Sequence, residues 1–143
     1  MIKVEKSVII KKPVEDVFAY SQNKDNYSKW QGDGSMQMLE GPDNVVGSRY
    51  LDISIFLGQE MKSTMEITAF KENEKWAAKV IKGPVPYEVS MTYAKLPEGT
   101  NVTIAIEGET KGFFKLAERM VVNAVAQDIE ESLNRLKSIL ESN

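Results

Sequence analysis

The sequence contains no cysteine and no histidine. Without cysteine the chain has no disulfide bond, zinc–thiolate site or thiol nucleophile, and this composition fits a reducing compartment. Without histidine it lacks the usual general base near neutral pH and the commonest metal ligand, so a Ser–His–Asp mechanism is excluded. The carboxylates are not clustered at the spacing of metal ligands. We therefore expect no metal site and no cofactor.

Long hydrophobic runs and dense basic stretches are also missing. Residues 1–12 have no apolar core of signal-peptide length, and no apolar run approaches the length of a membrane span. The 18 Lys and Arg residues are outnumbered by 21 Asp and Glu residues, which gives a net charge of −3. Such a chain repels nucleic-acid backbones weakly. We expect a cytoplasmic protein with no nucleic-acid partner and no membrane span, present as a monomer or weak dimer.

The most regular stretch lies near the C-terminal end, at residues 112–141. Its apolar residues recur at i, i+3, i+4 and i+7, which is typical of an amphipathic helix. The apolar side comprises Leu116, Met120, Val121, Ala124, Val125, Ile129, Leu133, Leu136 and Leu140. The spacing predicts one long helix of roughly 40 Å, at ~1.5 Å per residue. With 143 residues and no linker, repeat or low-complexity segment, the chain is expected to form a single domain over residues 1–143.

The residues before this helix alternate between apolar and polar. Residues 2–11 indicate a first strand, and Pro13 then begins a short helix, which a second helical piece follows after Asn23. Residues 32–109 alternate with a period near two, interrupted by turn signals, which indicates about six more strands. Their hairpin-length connections predict antiparallel pairing. The sequence thus predicts an α+β fold, in which a curved antiparallel sheet of about seven strands wraps around the long C-terminal helix, with two short helices after strand 1.

Four stretches are spread over nearly the whole chain: 8–18 (VIIKKPVEDVF) with 25–30 (DNYSKW), 46–50 (VGSRY), 98–102 (EGTNV), and 112–114 (GFF) leading to 133–141 (LNRLKSILE). In order and spacing they resemble the helix-grip fold of the START-like (SRPBCC) superfamily, and most closely its polyketide cyclase/dehydrase-like branch. The resemblance implies a space between sheet and helix, where family members bind sterols, lipids, polyketides, plant hormones or quinones. It implies no shared catalytic motif, because only some members are enzymes and their catalytic groups differ.

Apolar side chains on the inward face of the sheet form either a packed core or the wall of a ligand cavity. The strand alternation assigns to this face Leu51, Ile53, Ile55, Met61, Met65, Trp76, Val80, Val89, Met91, Ile104 and Ile106. The helix adds Met120 and Ala124. Methionine adapts to varied apolar partners, and small Ala124 leaves space rather than fills it. Together with the resemblance, the pattern favours a cavity.

A few polar residues share this inward parity: Arg49, Ser63, Tyr87 and Tyr93. Arg49 either pairs with a ligand carboxylate or phenolate, or forms a salt bridge at a strand end. Each tyrosine either donates to a ligand carbonyl or lies at the rim with its hydroxyl in water. Trp30 either stands at the cavity entrance or anchors the second short helix. The carboxylates Glu107, Glu109, Asp128, Glu130 and Glu131 are expected on solvated surface.

These observations leave three functions open. The favoured one is binding of a small hydrophobic or amphipathic ligand (lipid, polyketide or quinone-like) between sheet and helix. The second is an enzyme of the polyketide cyclase/dehydratase type, which requires a buried carboxylate or paired tyrosine at the pocket floor. The third is a protein-interaction module with a shallow groove and an exposed apolar patch near Phe113 and Phe114.

Overall fold

The computed structural model describes residues 1–32, 34–109 and 118–142. Its strands are β1 (Ile2–Ile10), β2 (Ser35–Glu40), β3 (Arg49–Phe56), β4 (Gln59–Lys71), β5 (Lys75–Lys82), β6 (Tyr87–Leu96) and β7 (Gly99–Gly108). The helices in the described ranges are α1 (Val14–Ser21), α2 (Tyr27–Trp30) and α3 (Glu118–Glu141), and a 3₁₀ turn at Lys24–Asn26 precedes α2. The predicted order of elements is confirmed. The predicted start of the long helix, and the patch near Phe113 and Phe114, lie outside the described residues.

The seven strands form one antiparallel sheet in the order β1-β7-β6-β5-β4-β3-β2. Each strand from β2 to β7 pairs with its neighbour in sequence, and β1 joins the sheet beside β7. Register shifts in β2 and β4 mark irregularities of the kind that bend and twist a sheet. The predicted α+β fold, with its curved sheet and long C-terminal helix, is therefore confirmed. No helix among the described residues is long and apolar enough to span a membrane.

The helices cover the sheet unevenly. Helix α3 packs mainly against β1, at one edge of the sheet, while α1 packs against β6 and β7. The main apolar core forms there, and its most deeply buried members include Val17, Val102, Leu133 and Leu136. A second, smaller core of Tyr50, Met65, Ile67 and Ala78 lies on β3, β4 and β5. Space remains between this second part of the sheet and α3.

The inward face of β3 differs from the prediction. The apolar alternation placed Leu51 and Ile53 inward, but the structure buries Tyr50 and Asp52, which are 3% and 8% exposed. Leu51 and Ile53 are half-buried on the opposite face. The prediction of inward Leu51 and Ile53 is therefore wrong.

The hairpin between β3 and β4 explains this parity. Its two turn residues, Leu57 and Gly58, have φ of 51° and 78°, which matches the positive φ values of a tight hairpin turn. A two-residue turn pairs even-numbered residues of β3 with odd-numbered residues of β4, and cross-strand partners share a face. Because Met65 and Ser63 point inward, their partners Tyr50 and Asp52 must do so too. In β4 to β7 the predicted inward faces are confirmed.

Candidate functional site

A cavity of about 430 Å³ lies between the sheet and α3. This volume is within the range of ~300–1,000 Å³ that is typical of small-molecule sites. Its apolar wall includes Met61, Met65, Trp76, Val89, Met91, Ile104, Ile106, Val121, Val125 and Ile129. Polar side chains at the cavity are Tyr27, Gln31, Tyr50, Asp52, Ser54, Ser63, Tyr87, Glu109, Asp128, Glu131, Ser132 and Arg135. Apolar atoms form most of the cavity surface, and the polar groups are distributed among them.

Seven of the residues that sequence reasoning proposed for a ligand site line this cavity: Ile55, Met61, Ser63, Met65, Trp76, Tyr87 and Met91. They come from β3, β4, β5 and β6, so the sheet alone brings them together. The others, Trp30, Arg49, Leu51, Ile53, Met120 and Ala124, are not among its lining residues.

Arg49 and Trp30 have other roles in the structure. The Arg49 side chain lies on the outer face of β3, 46% exposed, with its Nε 3.5 Å from Glu66 Oε1. This is the strand-end salt bridge, and the inward assignment of Arg49 fails for the same reason as that of Leu51. Trp30 is 1% exposed in the main core, where its carbonyl oxygen accepts a 2.9 Å hydrogen bond from Arg135 Nε. Trp30 therefore anchors α2.

The inward face of α3 is also rotated from the prediction. Val121, Val125 and Ile129 line the cavity at intervals of four residues. Each residue turns a helix by about 100°, so the Met120 side chain points about 100° away from that of Val121 around the helix axis. Met120 is 59% exposed. The inward assignment of Met120 is wrong, and Ala124 is half-buried beside the cavity wall rather than on it.

Tyr93 was expected inward, and it is, but it belongs to the packed end of the sheet. Its hydroxyl is 2.6 Å from Ser21 Oγ, and it accepts a 2.8 Å hydrogen bond from Gln22 Nε2. Burial raises its pKa to about 12, although these two partners lower it in part. The alternative of a rim residue with its hydroxyl in water is therefore wrong, and Tyr93 does not line the cavity.

Sequence reasoning missed the buried carboxylate. Asp52 lies on the inward face of β3, and its Oδ1 accepts a 2.7 Å hydrogen bond from the Tyr27 hydroxyl. Tyr27 is the first residue of α2, and its ring packs closely against the backbone of Gly34. A Cβ at position 34 would lie only 3.1 Å from Tyr27 Cε1, so the glycine leaves room for the ring. Asp52 could have been found from its cross-strand partner Ser63, which was predicted inward, because paired residues on neighbouring strands lie on the same face of the sheet.

The electrostatics of this pair follow from burial. Burial raises the pKa of Asp52, and the hydrogen bond from Tyr27 offsets part of that rise. Burial also raises the pKa values of Tyr27, Tyr50 and Tyr87, and the negative charge of Asp52 adds to the rise in each. The three tyrosines therefore remain neutral donors beside one carboxyl group whose proton is held more tightly than usual.

The opposite wall carries a second polar group, on α3. Asp128 and Glu131 of α3 and Glu109 after β7 are exposed, as expected of solvated carboxylates, and all three also border the cavity. Burial and the neighbouring charge of Glu131 raise the pKa of Asp128, while the charge of Arg135 opposes this rise. The cavity thus has carboxyl groups on both walls. Among the described residues no group of three or more acidic side chains could hold a metal ion.

Comparison with known proteins places this geometry in a family. The family model described as "Polyketide cyclase / dehydrase and lipid transport" matches residues 1–141. A comparison with curated proteins found no match. The crystal structure of TTHA0849 from Thermus thermophilus is similar, with a TM-score of 0.83, 16% identity, and coverage of 98% of this chain and 97% of that one.

Two further solved structures have the same fold. A START superfamily protein from Mycobacterium smegmatis has a TM-score of 0.79 at 16% identity, and the match covers 98% of this chain and 97% of that chain. The di-domain ARO/CYC StfQ from the steffimycin biosynthetic pathway has a TM-score of 0.82 at 13% identity, with coverage of 99% of this chain and 51% of that chain. The helix-grip resemblance that the sequence indicated is confirmed. The chain belongs to the polyketide cyclase / dehydrase and lipid transport family.

Proposed function

We propose that this protein binds a small hydrophobic or amphipathic molecule, of lipid, polyketide or quinone-like character, in the cavity between the sheet and α3. The observation that carries this proposal is the cavity of about 430 Å³ with aliphatic, methionine and aromatic walls. Transfer of apolar ligand surface out of water contributes ~25 cal/mol per Å². Micromolar binding, about 8 kcal/mol, is reachable from that contribution without special contacts.

The polar groups at the cavity orient the ligand. Ser63 and Asp52 lie on neighbouring strands, and Tyr87 contributes its hydroxyl from β6. Sequence reasoning gave the orienting role to Arg49 or a tyrosine. Because Arg49 is on the outer face, the orienting groups are Tyr87 and Asp52, with Tyr27 as the hydrogen-bond donor to Asp52.

A first test of the proposal is native mass spectrometry of freshly purified protein, followed by solvent extraction. A co-purifying apolar molecule supports the proposal and names the ligand class. Binding is then measured directly by titrating extracted protein with Nile red, a neutral apolar dye whose fluorescence rises out of water. Failure of the extracted wild-type protein to bind neutral apolar probes contradicts the proposal.

A pair of variants on α3 locates the binding site. Val125 lines the cavity, so Val125→Trp fills part of it, and we expect Nile red affinity to fall by about tenfold or more, a loss of ~1.4 kcal/mol. Asn123→Trp adds the same side chain on the exposed face of the same helix and should leave affinity unchanged. Circular dichroism checks that both variants fold. Equal affinities in the two variants would place the dye elsewhere.

A second candidate function is an enzyme of the cyclase/dehydratase type, and the hydrogen bond from Tyr27 to Asp52 specifically favours it. A buried carboxyl with a raised pKa is suited to take a proton from a carbon next to a ketone. A neutral tyrosine is suited to donate to the ketone oxygen as charge develops there.

The enzyme alternative has its own test. The wild-type protein is incubated with a linear triketone, and mass spectrometry detects the loss of one water that accompanies cyclisation with dehydration. Turnover that disappears in both Asp52→Asn and Tyr27→Phe supports the enzyme. Turnover that survives in both variants excludes this pair from the chemistry.

A further inference from the structure

The charges around the cavity are mostly negative. Among its described lining residues, Asp52, Glu109, Asp128 and Glu131 are acidic, whereas Arg135 is basic. Glu109, Asp128 and Glu131 are exposed, so water and salt screen their charges in part, whereas the charge of buried Asp52 acts on the cavity interior with little screening. An anionic ligand group is therefore disfavoured at this site, and a cationic group is favoured.

The guanidinium of Arg135 already serves the protein. Its Nε donates to the carbonyl oxygen of Trp30 at 2.9 Å, and its Nη2 lies 3.3 Å from Ser132 Oγ. Its charge also acts on Asp128, whose pKa it lowers in part. Arg135 thus links α2 to α3 and offsets one neighbouring acidic side chain. The net charge of the residues that line the cavity stays negative.

Asp52 stands without a cationic partner. It is 8% exposed, and no ion pair formed by the described residues includes it. Tyr27 supplies a hydrogen bond to Oδ1 but no charge. A buried carboxylate without a counter-charge is costly, and a cation that arrives beside it removes much of that cost.

Aromatic rings line the cavity together with this carboxyl group. Tyr27, Tyr50, Trp76 and Tyr87 all border it, and the ring centroids of Tyr50 and Trp76 are 6.4 Å apart. The faces of such rings carry negative potential and attract ammonium groups. A carboxylate with several aromatic neighbours is the combination that suits an ammonium head with an apolar body.

We propose that the cavity prefers a cationic amphiphile, an apolar molecule with one ammonium group, and that Asp52 receives this group among the rings of Tyr27, Tyr50 and Tyr87. This inference rests on the proposed function, since it assigns the ligand class of the same cavity. The apolar body occupies the methionine and aliphatic wall, and the ammonium group donates a charge-assisted hydrogen bond to the carboxylate.

The test compares three probes with the same alkyl chain, decylamine, 1-decanol and decanoate, by displacement of Nile red at pH 7. The two ionic probes are used below their critical micelle concentrations and 1-decanol below its solubility limit. We expect decylamine, which is an ammonium ion at this pH, to bind about tenfold or more tightly than 1-decanol, because charge-assisted hydrogen bonds contribute more than neutral ones. Decanoate should bind more weakly than 1-decanol.

Variants assign the preference to one carboxyl group. Asp52→Asn keeps the size of the side chain and its acceptor for Tyr27, so the ratio of 1-decanol to decylamine dissociation constants should fall several-fold toward one. Glu130→Gln removes an exposed acidic charge that does not line the cavity, and should leave the ratio as in wild type.

The outcomes separate this inference from the proposed function. If 1-decanol binds but decylamine binds no more tightly than 1-decanol, the charge preference is overturned and the ligand cavity stands. If none of the three probes binds, both proposals fail. If Asp52→Asn and Glu130→Gln lower the ratio equally, the preference comes from net charge alone, and the role of Asp52 is overturned.

Discussion

Two tyrosines on β6 show how differently the two ends of the sheet are used. Both point inward, six residues apart on one strand. Tyr93 is buried at the end that α1 covers, with hydrogen bonds to Ser21 and Gln22 and its ring centroid 4.9 Å from that of Phe18. Tyr87 is half-buried at the cavity, and no described residue forms a hydrogen bond with its hydroxyl.

The difference comes from the helices, since the strand pattern is the same at both ends. Where α1 and the C-terminal half of α3 meet the sheet, the inward apolar side chains pack into the main core, and the Tyr93 hydroxyl has hydrogen-bond partners there. Over β3, β4 and β5 the helix is further away, so inward residues border open space. The closed end therefore provides the stability that allows the other end to remain open for a ligand.

The largest contrast is expected from truncating one long apolar side chain at each end. Leu136 is fully buried in the closed core, so Leu136→Ala removes packing and leaves a cavity, at a cost of about 2–5 kcal/mol in the free energy of unfolding. Met61 already faces open space and is half-buried, so Met61→Ala should cost less than about 1 kcal/mol. Urea denaturation of both variants measures the difference, and equal losses would contradict the division into closed and open ends.

A smaller contrast is expected from removing one hydroxyl at each end. Tyr93→Phe leaves Gln22 Nε2 without its buried acceptor, which should lower the free energy of unfolding by about 1–2 kcal/mol. Tyr87→Phe removes a hydroxyl that no described residue bonds, and its effect should stay within about 0.5 kcal/mol. Chemical denaturation of both variants is the measurement. A loss in Tyr87→Phe as large as that in Tyr93→Phe would show that the cavity end is packed as tightly as the core.

The fold was largely predictable because its signals are local and repeated. The period of β4 to β7 and the long apolar side of α3 each extend over many residues, and their inward faces, apart from the edge of α3, are those expected. The inward face of β3 was the exception, because the turn at Leu57–Gly58 sets it. There, Leu51 and Ile53 lie on the face that the hairpin geometry turns outward. Ile55 has the same parity and is 47% exposed, but it also borders the cavity beside the turn.

The candidate site was less predictable because it depends on which residues meet across elements. Tyr27 and Asp52 are 25 residues apart, and nothing in their local pattern indicates a hydrogen bond. Asp128 and Glu131 lie on the polar side of an amphipathic pattern, yet they border the cavity, because α3 does not lie flat on the whole sheet. Hydrophobic periodicity shows what an element buries, but it does not show where a buried surface stays unfilled.

The most subtle test of the comparison uses the buried carboxyl group at the open end. Burial raises the pKa of Asp52 in the folded protein, whereas in the unfolded chain it is near the ordinary value of about 3.9. The folded state therefore holds the proton more tightly, and the stability that this contributes is fully present below the unfolded pKa and is lost as pH rises through the folded pKa. Asp52→Asn cannot ionise and keeps an acceptor for Tyr27.

In extracted protein without ligand, we expect Asp52→Asn to melt at a higher temperature than wild type at pH 7, and the difference in Tm to shrink toward zero at pH 4. Comparing the two proteins at each pH cancels the titration of the other carboxyl groups. A Tm difference for Asp52→Asn that is the same at both pH values would mean that the carboxyl group at the cavity is solvated like one on the surface. In that case the open end would be wet, and the cost that an ammonium group relieves at Asp52 would be absent.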